Sequence, residues 1–177
     1  MSRLYAVEGV DGSGKSTIAR TLADYIDASY YYGVPENLKE EKKIADAGSL
    51  EGRYNFYVKS NNLAQAELRE LLKQKDVVSD WYAYSTAAFH SVLLGRKIEL
   101  QPDIMVPDKT IYVRADWDVI EDRIIKKSHV NERTKIPFLK EVDKRFLEMF
   151  GGLDNVIYVD NSHAEINSLV KQIASQF

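Results

Sequence analysis

Gly9, Gly14, Lys15 and Ser16 fit the spacing G-x-x-x-x-G-K-[ST] within the run Val7-Glu8-Gly9-Val10-Asp11-Gly12-Ser13-Gly14-Lys15-Ser16-Thr17. That spacing builds a cradle for polyphosphate, in which backbone N–H groups and a helix N-terminus converge on one anionic spot. Gly9, Gly12 and Gly14 keep Cβ atoms away from the phosphate oxygens, and Ser13 and Thr17 complete the cradle. Lys15 is expected to reach the β- and γ-phosphates, and the Ser16 hydroxyl to hold Mg²⁺. The loop predicts binding of a nucleoside triphosphate and leaves the reaction open.

A second chemical group follows at Val77-Val78-Ser79-Asp80, a short apolar run ending in a carboxylate. Behind a phosphate loop, such an aspartate helps to hold Mg²⁺ directly or through water. The stretch 126–136 is rich in positive charge, lacks apolar periodicity and includes Arg133; it reads either as a solvated loop or as a lid. Between Phe56 and Asn62 the chain is polar and aromatic, so this helix face is either solvated or the wall of an acceptor pocket. Phe56 is accordingly either core or a surface on which a base stacks. If the acceptor is anionic, a cation must meet it, and Lys59 and Arg53 are the basic residues between Lys43 and Arg69. Ser85, Phe89 and His90 are expected on the facing side of that pocket, with Asn61, Asn62 or Ser85 reading the edge of a base.

These groups need a scaffold. Leu4 to Val7 reads as a buried strand, and from Ser16 onward the spacing turns helical, with Ile18, Leu22 and Ile26 on one stripe beside Ala19 and Ala23. Further strands are expected at 29–32, 77–80, 110–113 and 156–160, with three consecutive tyrosines, Tyr30 to Tyr32, read as sheet packing. Helices are expected at 36–47, 51–75, 84–94, 117–127 and 138–150, the last closed by Gly151-Gly152, and a final one carries Ile166, Leu169, Val170 and Ile173. Strands alternating with helices predict right-handed crossovers and a parallel sheet covered on both faces. Ligands of such sheets bind at the carboxyl ends of the strands, where the loop and Asp80 both lie.

The 177 residues suit one domain, 1–177, with no linker, repeat or low-complexity stretch. A net charge of −3 argues against a nucleic acid polymer as partner. No cysteine is present, which excludes disulfides and thiolate-bound metals, and His90, His129 and His163 show no ligand spacing. No apolar run approaches a membrane span, and the early position of the loop leaves no room for a leader, so the chain reads as a cytoplasmic enzyme without a membrane partner.

The residues resemble the thymidylate kinase family of nucleoside-monophosphate kinases nearly end to end. The opening E-G-V-D-G-S-G-K-S-T is characteristic of it, and Asp80-Trp81-Tyr82-Ala83-Tyr84-Ser85-Thr86-Ala87-Ala88-Phe89-His90 is similar to the family's D-R-Y-x-x-S-x-x-A-Y-Q. Pro107-Asp108-Lys109-Thr110-Ile111-Tyr112-Val113 resembles P-D-x-T-x-Y-L, and Glu121-Asp122-Arg123-Ile124 falls where the family has an E-R pair. The resemblance implies a P-loop NTPase fold of the α/β class, with a five-stranded parallel sheet in order 2-3-1-4-5 and helices on both faces. It also implies ATP as donor, Mg²⁺, a lid at about 126–136, dTMP as acceptor and commonly a homodimer. Asp11 would face the acceptor sugar, Arg123 and Arg133 would act as cations around the donor phosphates, and Val159-Asp160-Asn161-Ser162 would form the adenine-contacting loop. Phe89 and His90 stand where the family's pocket-lining Tyr and Gln lie, and Trp81 stands where the family has an arginine. That loss is what a neutral acceptor permits, so a deoxynucleoside kinase is the first alternative. A nucleotide-binding protein with little turnover is the second.

Overall fold

The computed structural model describes residues 2–128 and 135–177. Five strands, β1 (Leu4–Glu8), β2 (Ser29–Tyr32), β3 (Val77–Asp80), β4 (Lys109–Arg114) and β5 (Val156–Asp160), form one parallel sheet in the order β2-β3-β1-β4-β5. Every strand pairs in parallel with its neighbour, as the resemblance implied. The helices among the described residues are α1 (Lys15–Tyr25), α2 (Lys39–Ala47), α3 (Leu50–Leu72), α4 (Ala83–Leu93), α5 (Trp117–Ser128), α6 (Ile136–Phe150) and α7 (Ile166–Ala174). None of them is long and apolar enough to cross a membrane. Residues 129–134 of the expected lid, Arg133 among them, lie outside the described residues.

The central strand β1 is buried throughout, because helices cover both faces of the sheet. Its side chains alternate between two cores. Tyr5 and Val7 point to the side covered by α1 and α7, where Ile18, Leu22, Val170 and Ile173 pack. Leu4 and Ala6 point to the other side, where Leu68 of α3, Phe89 of α4, Ile120 of α5 and Phe146 of α6 pack. Glu8 therefore ends β1 on the α4 side, a carboxylate at a core position.

The charged stretch 36–47, expected as one helix, divides into a single 3₁₀ turn at Glu36–Leu38 and then α2. Leu38 turns inward against Val34, Phe56 and Tyr57, whereas α2 itself buries no residue, so the chain bends where the burial stops. Helix α3 begins at Leu50, one residue earlier than the periodicity predicts, because the Ser49 hydroxyl accepts the Gly52 N–H at 3.1 Å and caps it.

Register brings the candidate residues to one edge. Asp80 pairs with Val7 on one side and with Tyr32 on the other, so the ends of β2, β3 and β1 lie abreast just before the phosphate loop.

Candidate active site

The loop enters α1 through Gly14, whose φ of 92° is a left-handed conformation that an L side chain adopts only with strain. No side chain caps α1 and no acidic residue lies in its first turn, so the positive end of the helix is left for an anion. A cleft of 510 Å³ opens in front of it, lined by Asp11, Gly12, Gly14, Lys15, Ser16, Thr17, Arg123, Ile124 and Lys127. That volume falls inside the range of about 300–1,000 Å³ common for small-molecule sites.

Lys15 is buried, and its Nζ lies 3.4 Å from Asp11 Oδ1. Asp11 is exposed at the mouth of the cleft. Behind the loop, Asn161 donates from Nδ2 to the Ser13 carbonyl at 2.8 Å, and Arg123 donates to the carbonyls of Gly12, Ser13 and Asn161 at 3.3, 3.3 and 2.8 Å. Arg123 of α5 and Asn161, just after β5, thus brace the loop, and Arg123 also faces the cleft. Gly9 and Ser13 are buried within this brace.

Asp80 is buried at the end of β3. Its Oδ2 accepts the Tyr30 hydroxyl at 2.9 Å, while Oδ1 has no partner among the described residues. Burial first, and then the Asp80 carboxylate, push the Tyr30 phenol well above its ordinary pKa, so Tyr30 stays a donor. An orphaned buried carboxylate oxygen is costly unless something meets it. Asp80 Oδ1 and the Ser16 hydroxyl are hard oxygen donors of the kind Mg²⁺ prefers. No group of three or more His, Cys, Asp or Glu that could hold a metal ion occurs among the described residues.

Glu8 is the residue that sequence reasoning missed. It is completely buried, and its Oε1 accepts the backbone N–H groups of Tyr82 and Ser85 at 3.2 Å each, while Oε2 accepts the Ser85 hydroxyl. A strand carboxylate therefore caps α4, a helix without a side-chain cap of its own. Burial raises the Glu8 pKa to about 7, against the pull of the Ser85 and Tyr82 hydrogen bonds and of the Lys15 charge.

The acceptor side differs in detail from the expected wall. The Ser85 hydroxyl is committed to Glu8 and does not read a base, a correction that follows from the helix end needing a cap. Lys59 Nζ lies 2.8 Å from both Glu41 oxygens on the exposed side of α3, so its charge is already met. Phe56 is core: it is buried with Val34 and Leu38 and meets Tyr57 edge-on at 5.2 Å. Phe89 and His90, both buried, pack into one aromatic wall with Trp81 and Tyr57. Phe89 lies 5.2 Å from Trp81, Tyr57 lies 5.7 Å from Trp81, and His90 lies 5.3 Å from Tyr57. His90 Nδ1 is paired with the Thr86 carbonyl at 2.8 Å, and burial lowers its pKa, which favours the neutral ring.

Trp81 closes this wall against Lys15, whose Nζ lies 5.9 Å from the Trp81 ring centroid. Its φ of 71° is rare for a bulky residue, and such strain collects at functional sites. The Trp81 carbonyl occupies the space of a missing side chain, since a Cβ on Gly33 would lie 1.8 Å from it. Neither backbone can yield without moving β2 or β3. Gly33→Ala is expected to destabilise the fold by about 3 kcal/mol, the upper end for overpacking, read as a lowered urea midpoint. An unchanged midpoint would show that the Gly33 and Trp81 backbones are not in contact.

The thymidylate kinase family model matches residues 7–173. A probable thymidylate kinase of Archaeoglobus fulgidus is 27% identical, the match covering 98% of this chain and 95% of that protein. A probable thymidylate kinase of Methanocaldococcus jannaschii is 29% identical over 94% of this chain and 90% of its own length. Among solved structures, the thymidylate kinase of Candida albicans superposes with a TM-score of 0.79 at 19% identity, covering 99% of this chain and 90% of its own. The deoxyadenosine kinase of M. mycoides superposes at 0.71 with 16% identity, covering 98% and 97%, and these two likenesses speak for the fold alone. The phosphate loop, the carboxylate at the end of β3 and a family match spanning nearly the whole chain agree: the chain belongs to the thymidylate kinase family of nucleotide kinases.

Proposed function

We propose that the protein transfers the γ-phosphoryl group of ATP to dTMP, with Mg²⁺. A phosphate oxygen of dTMP attacks the γ-phosphorus, the bond to the β,γ-bridging oxygen breaks, and ADP and dTDP leave. The observation that carries this reading is the meeting of Lys15 and the uncapped start of α1 at one cleft of a family member, with the unpartnered Asp80 Oδ1 at the end of the strand that pairs with β1.

Phosphoryl transfer asks for positioning and charge neutralisation rather than covalent chemistry. Lys15 and the loop N–H groups hold the donor phosphates, while Arg123 and Asn161 keep the loop rigid and border the adenine end. When bound, Mg²⁺ supplies charge neutralisation on the β- and γ-oxygens, and Ser16 and Asp80 are the residues that would hold it. Asp11 orients the acceptor sugar from the mouth of the cleft, and the Trp81–Phe89–His90 wall bounds the acceptor. By the family resemblance, Arg133 would add a further cation.

The second reading, a deoxynucleoside kinase, is favoured by one observation. Trp81 places an aromatic ring, not a guanidinium, beside Lys15. Steady-state turnover of ATP against nucleoside monophosphates and unphosphorylated nucleosides separates the two. The first reading expects the highest kcat/KM with dTMP, and a higher value with thymidine or deoxyadenosine would replace it with the second.

A further inference from the structure

We infer that Lys42 and Arg53, gathered on the single carboxylate of Asp46, bind the phosphate of the acceptor. This rests on the reading of the chain as a nucleoside-monophosphate kinase, and it answers how an acceptor side lined by aromatic rings meets a dianion. Burying a phosphate without a cation is prohibitive. Lys42 Nζ lies 2.5 Å from Asp46 Oδ2, and Arg53 Nε lies 3.2 Å from Asp46 Oδ1. Two cations share one anion, leaving one net positive charge.

The other ion pairs between β2 and β3 leave no such excess. Lys39 is matched to Glu36, Lys43 to Glu40, Lys59 to Glu41 and Lys73 to Glu70. Arg53 Nε, moreover, is buried and has no hydrogen-bond acceptor despite its nearness to Asp46. With Nε buried beside Asp46 and the side chain 31% exposed, it is the rest of the guanidinium fork that can meet an oxygen.

Position supports the same assignment. The Lys42 ammonium and the Arg53 guanidinium each lie 5.9 Å from the centre of the Tyr57 ring, and the Tyr57 hydroxyl donates to Asp46 Oδ1 at 3.2 Å. Tyr57 in turn packs on Trp81, and Lys15 lies over Trp81, so the shared pair and Lys15 bracket the two rings. Tyr32, at the end of β2, is acted on by Lys42 and Asp46 as well as by Asp80 and Asp11, which ties the cluster to the loop. The three side chains are 28–31% exposed, open enough for a ligand and covered enough that salt does not fully screen them.

Calorimetric titration with dTMP, thymidine and ATP tests the assignment without relying on turnover. Charge-assisted hydrogen bonds of this kind correspond to about a tenfold to hundredfold loss when removed. Lys42→Ala and Arg53→Ala should each weaken dTMP by that factor while leaving thymidine and ATP affinities unchanged, and Arg53→Lys should recover part of the loss. Asp46→Asn removes the competing anion and should tighten dTMP severalfold, an effect that a mere staple between α2 and α3 would not give. Equal weakening of dTMP and thymidine, unchanged dTMP affinity in both alanine variants, or weaker dTMP binding by a stably folded Asp46→Asn protein would overturn the inference. If the parent protein binds dTMP in this charge-dependent way but never phosphorylates it, the kinase reading falls and the binding site stands. If it phosphorylates dTMP and the variants bind dTMP normally, only this site falls.

Discussion

Lys15→Ala is expected to lower ATP turnover by about 10²–10³ in kcat, the loss seen when one preorganised charge or donor is taken from a developing transition state. The ammonium is buried with the Asp11 carboxylate 3.4 Å away and the Trp81 ring beneath it, so its position is set before a nucleotide arrives. Of the other cations lining the cleft, Arg123 is already donating to the carbonyls of Gly12, Ser13 and Asn161, and Lys127 is an exposed residue of α5 rather than a buried one of the loop. The substitution also removes a counter-charge from Glu8, which takes up a proton more readily as a result. Turnover is read by ADP release and donor binding by titration, with near-ultraviolet circular dichroism showing that the fold persists. Undiminished turnover in a folded variant would remove Lys15 from the donor site.

The second large effect is on stability and belongs to Glu8. Its folded-state pKa of about 7 lies above the ordinary 4.5, because burial disfavours the charged carboxylate. Between those two values the folded protein holds a proton that the unfolded chain has released. Stability therefore falls as pH rises through this window, is insensitive to Glu8 below about pH 4.5, and bears the full penalty above about pH 7. The shift corresponds to about 3 kcal/mol. Glu8→Gln cannot ionise, so its urea midpoint should lose this slope and exceed the parent's at pH 8. The N–H groups of Tyr82 and Ser85 still find the amide oxygen as an acceptor, and the Ser85 hydroxyl turns to accept from the amide NH2. Parallel midpoint curves for the two proteins between pH 5 and pH 8 would show that Glu8 does not titrate there.

What could be read from the sequence was local. The loop is legible because its glycines, Lys15 and Ser16 act through the backbone of one short segment, and β1, β3 and β4 announce themselves by short runs of buried residues. Asp80 is legible as the polar end of such a run. Glu8 is not, because its partners Tyr82 and Ser85 are 74 and 77 residues away, and a carboxylate beside a glycine-rich loop looks like part of the motif. The same distance in sequence hides Tyr30: three consecutive tyrosines read as sheet packing, yet Tyr30 donates to Asp80, Tyr31 donates to Glu67, and Tyr32 is half-exposed at the strand end. Ser85 and Lys59 have the right chemistry to read or neutralise a ligand, and a single sequence cannot show that Glu8 and Glu41 occupy them. Lys42 escapes notice for the converse reason. Its helix buries nothing and looks like a solvated face, and only the fold shows Asp46 shared with Arg53.

Product identity tests the central claim most directly. The protein is incubated with Mg²⁺, ATP labelled at the γ-phosphate and dTMP, and the nucleotides are separated. Transfer to the acceptor phosphate predicts that the label appears in dTDP, one equivalent for each ADP formed. Label recovered only as inorganic phosphate, or incorporated when thymidine replaces dTMP but not with dTMP itself, would contradict it.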